Sequence, residues 1–246
     1  LDTNGVTATA SAEIVSPSEN SPLTTPSNRA PGDTESWKEA LSDLNSCCQR
    51  GLVERFDSSI GASAVLHPYG GKNLATPPNA MCSKIPLLKG DTKTGTLFAF
   101  GFNPDISIWS PYHGAMYAVL ESFAKIAASG GDVTRIRLTF QEYFEKLRKD
   151  PKRWGKPLAA LLGAYEAQMG LGAAAIGGKD SMSGSFNNID VPPTLVSFAI
   201  VPCNVENVIS PEFKKAGSRV AIIEIDRDDS LAPVWADALK KYSALF

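Results

Sequence analysis

Residues 195–201 read Leu-Val-Ser-Phe-Ala-Ile-Val, an apolar run broken by a single hydroxyl. A strand with one wet face alternates apolar and polar side chains. A near-continuous run of this length predicts a strand buried on both faces. The clearest helix covers 112–128, where Met116, Val119, Leu120, Phe123, Ile126 and Ala127 recur at steps of three and four before Gly130 and Gly131 end it. A buried strand beside a strongly periodic helix points to an α/β or α+β domain with a mixed sheet and outer helices.

Other elements follow from the same periods. Residues 35–44 predict a short helix capped by Asp33 or Thr34, with Trp37, Leu41 and Leu44 on one face. Strands are expected at 51–66 (Val53, Ile60, Ala62, Ala64 and Leu66 alternating), at 94–102 and at 135–140. Helices are expected at 141–149 and at 157–170, the second with Leu158, Leu161, Leu162, Tyr165 and Met169 as its apolar stripe.

Both ends of the chain differ from its middle. Residues 1–34 hold 15 Ser, Thr and Pro and no aromatic residue. Such a stretch buries too little apolar surface to offset its chain entropy, so a flexible leader or linker is expected there. The main domain is expected over 35–204. Residues 205–246 offer one strand (219–225) and one helix (231–245, capped by Ser230), too little to enclose a core. They are expected to be the truncated start of a following domain.

Several functions are excluded early. There are 24 Lys and Arg against 26 Asp and Glu, for a net charge of −2, which does not suit a nucleic-acid-binding surface. No stretch of about 18 apolar residues exists to span a membrane, and the first residues lack the pattern of a secretory signal. The four cysteines, Cys47, Cys48, Cys82 and Cys203, form no Cys-x-x-Cys pair, which fits reduced thiols in a cytoplasmic setting. Cys82 suits a buried apolar thiol better than a nucleophile.

The sharpest motif is at 175–184, Ala-Ile-Gly-Gly-Lys-Asp-Ser-Met-Ser-Gly. Gly177 and Gly178 let the backbone come close to a ligand, and Lys179, Asp180, Ser181 and Ser183 suit a phosphate or a Mg²⁺-bound phosphate. The spacing is not that of a Walker A loop, and on chemistry alone a Gly-Gly-Lys-Asp turn is more often a plain loop. His113, at the start of the 112–128 helix, either faces an anion there or caps and packs. Glu121 interrupts the apolar face of the same helix, either as a solvated edge or as a metal ligand. The basic run 146–156 reads as a solvated helix end, since a single Trp interleaves it.

Four segments together resemble one family: 51–61, 98–114, 140–144 (Phe-Gln-Glu-Tyr-Phe) and 175–184. They are similar to the second half of phosphoribosylformylglycinamidine synthase in its long, single-chain form, over about residues 36–225. In that family two homologous halves each resemble aminoimidazole ribonucleotide synthase. The resemblance implies a mixed sheet with outer helices that pairs with a like sheet into a barrel. It implies a purine-biosynthesis ligase that converts formylglycinamide ribonucleotide, ATP and glutamine to the amidine, with ATP and Mg²⁺ as cofactors. The partners implied are the first synthase-like half, a glutaminase domain and a small-molecule substrate.

Residue by residue, the resemblance assigns Gly178 to ATP and Ser181 to substrate, and it gives the position of Lys179 to Mg²⁺; a cation cannot ligate Mg²⁺, so a direct phosphate contact is expected there instead. Gly177, Asp180, Ser183 and His113 complete the ATP- and substrate-binding set. Glu121 matches a helix glutamate that holds Mg²⁺ at an auxiliary nucleotide site, but Lys125 stands where an Asn is expected. The family's catalytic histidine belongs to the first half, and neither His67 nor His113 lies in a matching motif. A fragment of this kind is expected to be inactive alone and to form a homodimer through its uncovered sheet. The alternative is a non-catalytic structural lobe with a degenerate nucleotide site. Selenophosphate synthase and thiamine phosphate kinase are disfavoured because their Asp-rich metal motifs are missing.

Overall fold

In the computed structural model, which describes residues 9–24, 32–44, 46–51, 53 and 63–246, the apolar run lies in the longest strand of a six-stranded mixed sheet. That strand is β8 (Thr194–Asn204), and the others in order are β1 (Ala64–Leu66), β2 (Met81–Lys84), β3 (Thr94–Gly101), β4 (Arg137–Tyr143) and β5 (Ala175–Lys179). The spatial order is β1-β2-β3-β8-β4-β5. Every neighbouring pair is antiparallel except β4 and β5, which are parallel. A small hairpin, β6 (Ser185–Phe186) with β7 (Ile189–Asp190), turns through Asn187 at φ 54°.

The helices are α1 (Thr34–Ser42), α2 (Pro104–Trp109), α3 (Pro111–Ala128), α4 (Pro151–Leu171) and α5 (Trp235–Ser243). Local chemistry explains their starts. Asp33, Asn103, Ser110 and Asp150 each cap a helix by accepting a backbone N–H, and α2, α3 and α4 begin on a proline. Side chains of α3 and α4 meet those of the sheet in one core cluster that includes Leu97, Val119, Phe123, Ile126, Leu138, Ala160, Ala164 and Val201. Close approach is built in by glycine. A Cβ on Gly101 would strike the Ala118 carbonyl of α3, and one on Gly163 of α4 would strike the Tyr112 carbonyl.

The core side of β8 is fully buried at Leu195, Ser197, Ala199 and Val201, but Val196, Phe198 and Ile200 on its other side are only half-buried. The expectation of burial on both faces therefore does not hold within this chain. Among the described residues no helix covers the second face, where Phe98 and Phe198 stack at 5.5 Å and Phe100 stays 53% exposed.

Other expectations shift for identifiable reasons. Residues 141–143 continue β4 rather than starting a helix, because Gln141, Glu142 and Tyr143 find partners in Val196, Leu195 and Thr194 of the long β8. The α4 stripe is inverted. Leu158, Leu161, Leu162, Tyr165 and Met169 face outward, while Gly155, Ala159, Ala160, Gly163, Ala164 and Ala167 face the core. Both sets recur at helical spacing, and the tight approach of α3 admits only the small one. Helix α1 forms as expected, yet Trp37 and Leu41 stay exposed. Arg50, Gly51 and Val53 are helical rather than extended, 52 and 54–62 lie outside the described residues, and only the end of the expected strand forms, as β1 over Ala64–Leu66.

The tail and the leader also depart from expectation. No strand forms at 219–225, where Val220 and Ile222 are exposed and no neighbouring strand lies alongside among the described residues. Helix α5 begins after Val234 rather than at Ser230, whose backbone N–H and hydroxyl both donate to Asp228. Its Ala238 and Tyr242 join the main core, so this helix packs on the same unit. Residues 13–18 of the leader lie docked without regular structure, and a turn follows at 22–24. Glu13 N–H donates to the Pro151 carbonyl at 2.8 Å, and Trp109 Nε1 donates to the Ser18 carbonyl at 2.8 Å. Arg227 donates to the Leu23 carbonyl at 2.9 Å, and Ser21 is buried. Hydrogen bonds and the bare backbone of Gly155 beneath Glu13 hold this stretch, rather than apolar burial.

Candidate functional site

Parallel strands β4 and β5 are joined through α4, so the carboxyl ends of both strands and the amino end of α4 meet at one end of the sheet. In open α/β sheets that end is where ligands bind. The 175–184 motif lies there. Its first half is edge strand β5 rather than a loop, paired Phe140↔Gly178 and Gln141↔Lys179. Gly178 is required by proximity, since a Cβ would sit 2.5 Å from the Phe140 carbonyl. Thr139 Oγ1 donates to the Gly177 carbonyl at 3.0 Å.

The second half, 180–184, is stitched to the end of β4. Ser181 N–H donates to the Glu142 carbonyl at 3.1 Å, Phe144 N–H to the Ser181 carbonyl at 2.9 Å, and Gly184 N–H to the Phe144 carbonyl at 2.9 Å. Ser181 Oγ and Ser183 Oγ share a hydrogen bond at 2.8 Å. Gly177, Gly178, Lys179, Asp180 and Ser183 are exposed, so a solvent-facing surface of two hydroxyls, an ammonium and a carboxylate results. Six of the eight expected site residues are thus brought together. A neutral-to-anionic ligand with phosphate oxygens suits the ammonium and hydroxyls.

His113 and Glu121 lie apart from this group, on α3. Ser110 Oγ pairs with His113 Nδ1 at 2.8 Å, and His113 Nε2 pairs with the Ser230 carbonyl at 2.9 Å. Both ring nitrogens are committed to the fold, and the ring packs 4.8 Å from Trp109. Of its two readings, the capping and packing histidine is the one the geometry has. Glu121 accepts the Phe102 N–H at 2.9 Å on one oxygen and the Lys125 ammonium at 2.7 Å on the other. That ammonium also donates to the Phe100 carbonyl at 2.9 Å. A cation already occupies the place a metal would take. Among the described residues, no group of three or more His, Cys, Asp or Glu is placed to hold a metal ion.

Glu142 was not singled out by the sequence. Its side chain lies on the core side of β4 beneath the 180–184 stretch, 6% exposed, and its Oε1 is buried with no hydrogen-bond partner. Burial first, and the Asp180 charge second, push its carboxyl up to about 7. The alternation Phe140-Gln-Glu-Tyr-Phe144 was the available signal, since it turns Glu142 inward once the segment is a strand.

A groove of about 1060 Å³ lies elsewhere, between the docked leader and α2 and α4. Its cations are paired, Lys156 with Glu145 at 2.9 Å and Arg153 with Asp190 at 2.7 Å, and no residue of 175–184 lines it. Chemistry places the candidate site at the strand ends rather than in this groove.

No family model matches the chain. It is similar to the phosphoribosylformylglycinamidine synthase subunit PurL of Thermococcus sibiricus, 24% identical over 189 residues, which covers 77% of this chain and 24% of the relative. The PurL of Thermoplasma volcanium is 24% identical over 186 residues, 74% of this chain and 24% of the relative. The chain therefore spans about a quarter of the length of these relatives. Among solved structures, PurLQS from Thermotoga maritima matches with a TM-score of 0.54 and 23% identity over 68% of this chain and 25% of that one. T. maritima PurL complexed with ATP matches with a TM-score of 0.54 and 20% identity over 81% of this chain and 28% of that one. The mixed α/β fold is that of these PurL neighbours.

Proposed function

We propose that this chain is a lobe of phosphoribosylformylglycinamidine synthase, the part of its second synthase-like half that presents an ATP- and substrate-contacting edge. The whole enzyme is an ATP-dependent ligase of purine biosynthesis. The observation that carries the reading is the 177–183 cluster at the carboxyl ends of β4 and β5, found in a chain whose relatives are PurL subunits and whose fold matches a PurL complexed with ATP.

In this reading Lys179 holds a phosphate oxygen as a point charge, and Gly177 and Gly178 keep the edge bare enough for the phosphate to approach. The Ser181 and Ser183 hydroxyls, already sharing one hydrogen bond, turn their remaining capacity toward the substrate. The ligase reaction calls on Mg²⁺ to neutralise phosphate charge, but the two positions that the resemblance gives to a metal, Lys179 and Glu121, do not fit it. Lys179 cannot ligate a metal, and Glu121 is taken by Lys125. No step is therefore assigned to a metal on this chain, and acid–base chemistry falls to the first half of the enzyme.

The partners of this reading are that first half, which would cover the apolar sheet face of Phe98, Phe100 and Phe198 to close a barrel, and a glutaminase that supplies ammonia. The isolated chain would cover the same face with a second copy. Its four cysteines, none in a Cys-x-x-Cys pair, suit a reducing cytoplasm.

A second reading, a structural lobe with a degenerate nucleotide site, draws on the closed Glu121–Lys125 pair. Calorimetric titration of the chain with ATP and Mg²⁺ separates the two. Binding that weakens in Lys179→Ala and Ser181→Ala supports the first reading. Absence of binding, with unchanged kinetics when the same substitutions are made in the full-length enzyme, favours the second.

A further inference from the structure

The 180–184 stretch rests on a carboxyl group that the proposed function does not use. Glu142 lies on the core side of β4, opposite Leu195 of β8 in register, with Phe140 and Phe144 buried on the same side. Its Oε1 is sealed from solvent and has no partner. Of the cations near this end of the sheet, Lys156 on α4 pairs with Glu145, Arg153 on α4 pairs with Asp190, and Lys179 on β5 is exposed; none pairs with Glu142 among the described residues. Opposite this end of β4, strand β8 contributes Leu195 and Ser197 on that side, and the Asp180 charge acts on Glu142.

An ionised Glu142 would be a buried negative charge with no ion pair among the described residues and a second carboxylate nearby, a costly arrangement. Its own backbone carbonyl also receives the Ser181 N–H, so side chain and loop are tied to one residue. We propose that Glu142 is a positioning residue: its neutral carboxyl lets the 180–184 stretch stay seated, and loss of its proton to solvent drives Asp180 outward and unseats Lys179 and Ser181. The role deepens the proposed function, since it regulates the same ligand-contacting edge. A carboxyl held up to about 7 would make this change near neutral pH.

Two measurements on the chain test this separately from the function on which it rests. First, amide hydrogen exchange of Ser181 and Gly184 is followed from pH 5.5 to 8.5, corrected for intrinsic rate. Protection should fall about tenfold through pH 7 in the native chain and stay level in Glu142→Gln, a neutral isostere, and in Asp180→Asn, which leaves the core untouched. Identical profiles in all three overturn the proposal whether or not any nucleotide binds. Second, ATP affinity measured over the same range should weaken through pH 7 in the native chain and hold its pH 6 value in Glu142→Gln. Level affinity in the native chain, or the same decline in the variant, also overturns it. If ATP binds at no pH while the exchange result holds, the nucleotide reading fails and the positioning role stands.

Discussion

The Lys125 ammonium sits 2.7 Å from the Glu121 carboxylate one turn earlier on α3, and 4.4 Å over the Phe100 ring. One cation thereby joins α3 to the end of β3, since it also donates to the Phe100 carbonyl, while Glu121 accepts the Phe102 N–H. Lys125→Met should cost about 1 kcal/mol in urea denaturation, because the partly exposed pair is screened while the carbonyl bond is lost. In a double-mutant cycle with Glu121→Gln, strict additivity would show that the two side chains are not coupled.

Gly163 lets α4 cross α3 at the Tyr112 carbonyl. Gly163→Val should destabilise the chain by about 3 kcal/mol or prevent folding, because backbone on both helices would have to move. Leu161→Ala, two positions away on the same helix and outward-facing, should change stability by less than about 0.5 kcal/mol. Thermal unfolding of both variants checks the orientation of α4.

The apolar sheet face predicts association of the isolated chain. Sedimentation should show a dimer at high concentration, and Phe198→Lys should shift it to monomer without loss of helix or sheet signal. A monomer at every concentration would mean that this face is stable in water.

Trp109 anchors the leader through its indole N–H. Trp109→Phe should cost about 1 kcal/mol and raise protease cleavage within 13–23, detected by mass spectrometry. Unchanged cleavage would mean that the contacts of Glu13 and Arg227 suffice.

Glu142 also gives stability a pH dependence. Its folded carboxyl is held above the ordinary carboxylate range, so the folded state binds this proton more tightly than the unfolded chain. The stability it contributes is complete below about pH 4.5 and declines as pH rises through about 7. Glu142→Gln should remove that decline, about 2 kcal/mol after screening, from denaturant midpoints measured between pH 4.5 and 8.

Much of this was legible in order of locality. The cap Asp33, the periodicity of α3 and the apolar run of β8 are decided by neighbours within a few residues, and each appears in the structure where its pattern lies. The 177–183 cluster was equally legible, because its chemistry is contiguous. Glu142 and the tie on His113 were not. The first became inward-facing only when 141–143 joined β4, and the second depends on Ser230, more than a hundred residues along the chain.

By itself the sequence determined which segments are helix and strand where their period was unambiguous, and which residue types gather at the glycine-flanked motif. Only the tertiary structure decided which stripe of α4 faces inward, whether both faces of β8 are covered, and where the leader rests. Two stripes of one helix satisfy the same period, and a strand's wish for burial does not name its cover. Those choices are made by the space a neighbouring backbone leaves, at Gly163 beneath Tyr112 and at Gly155 beneath Glu13.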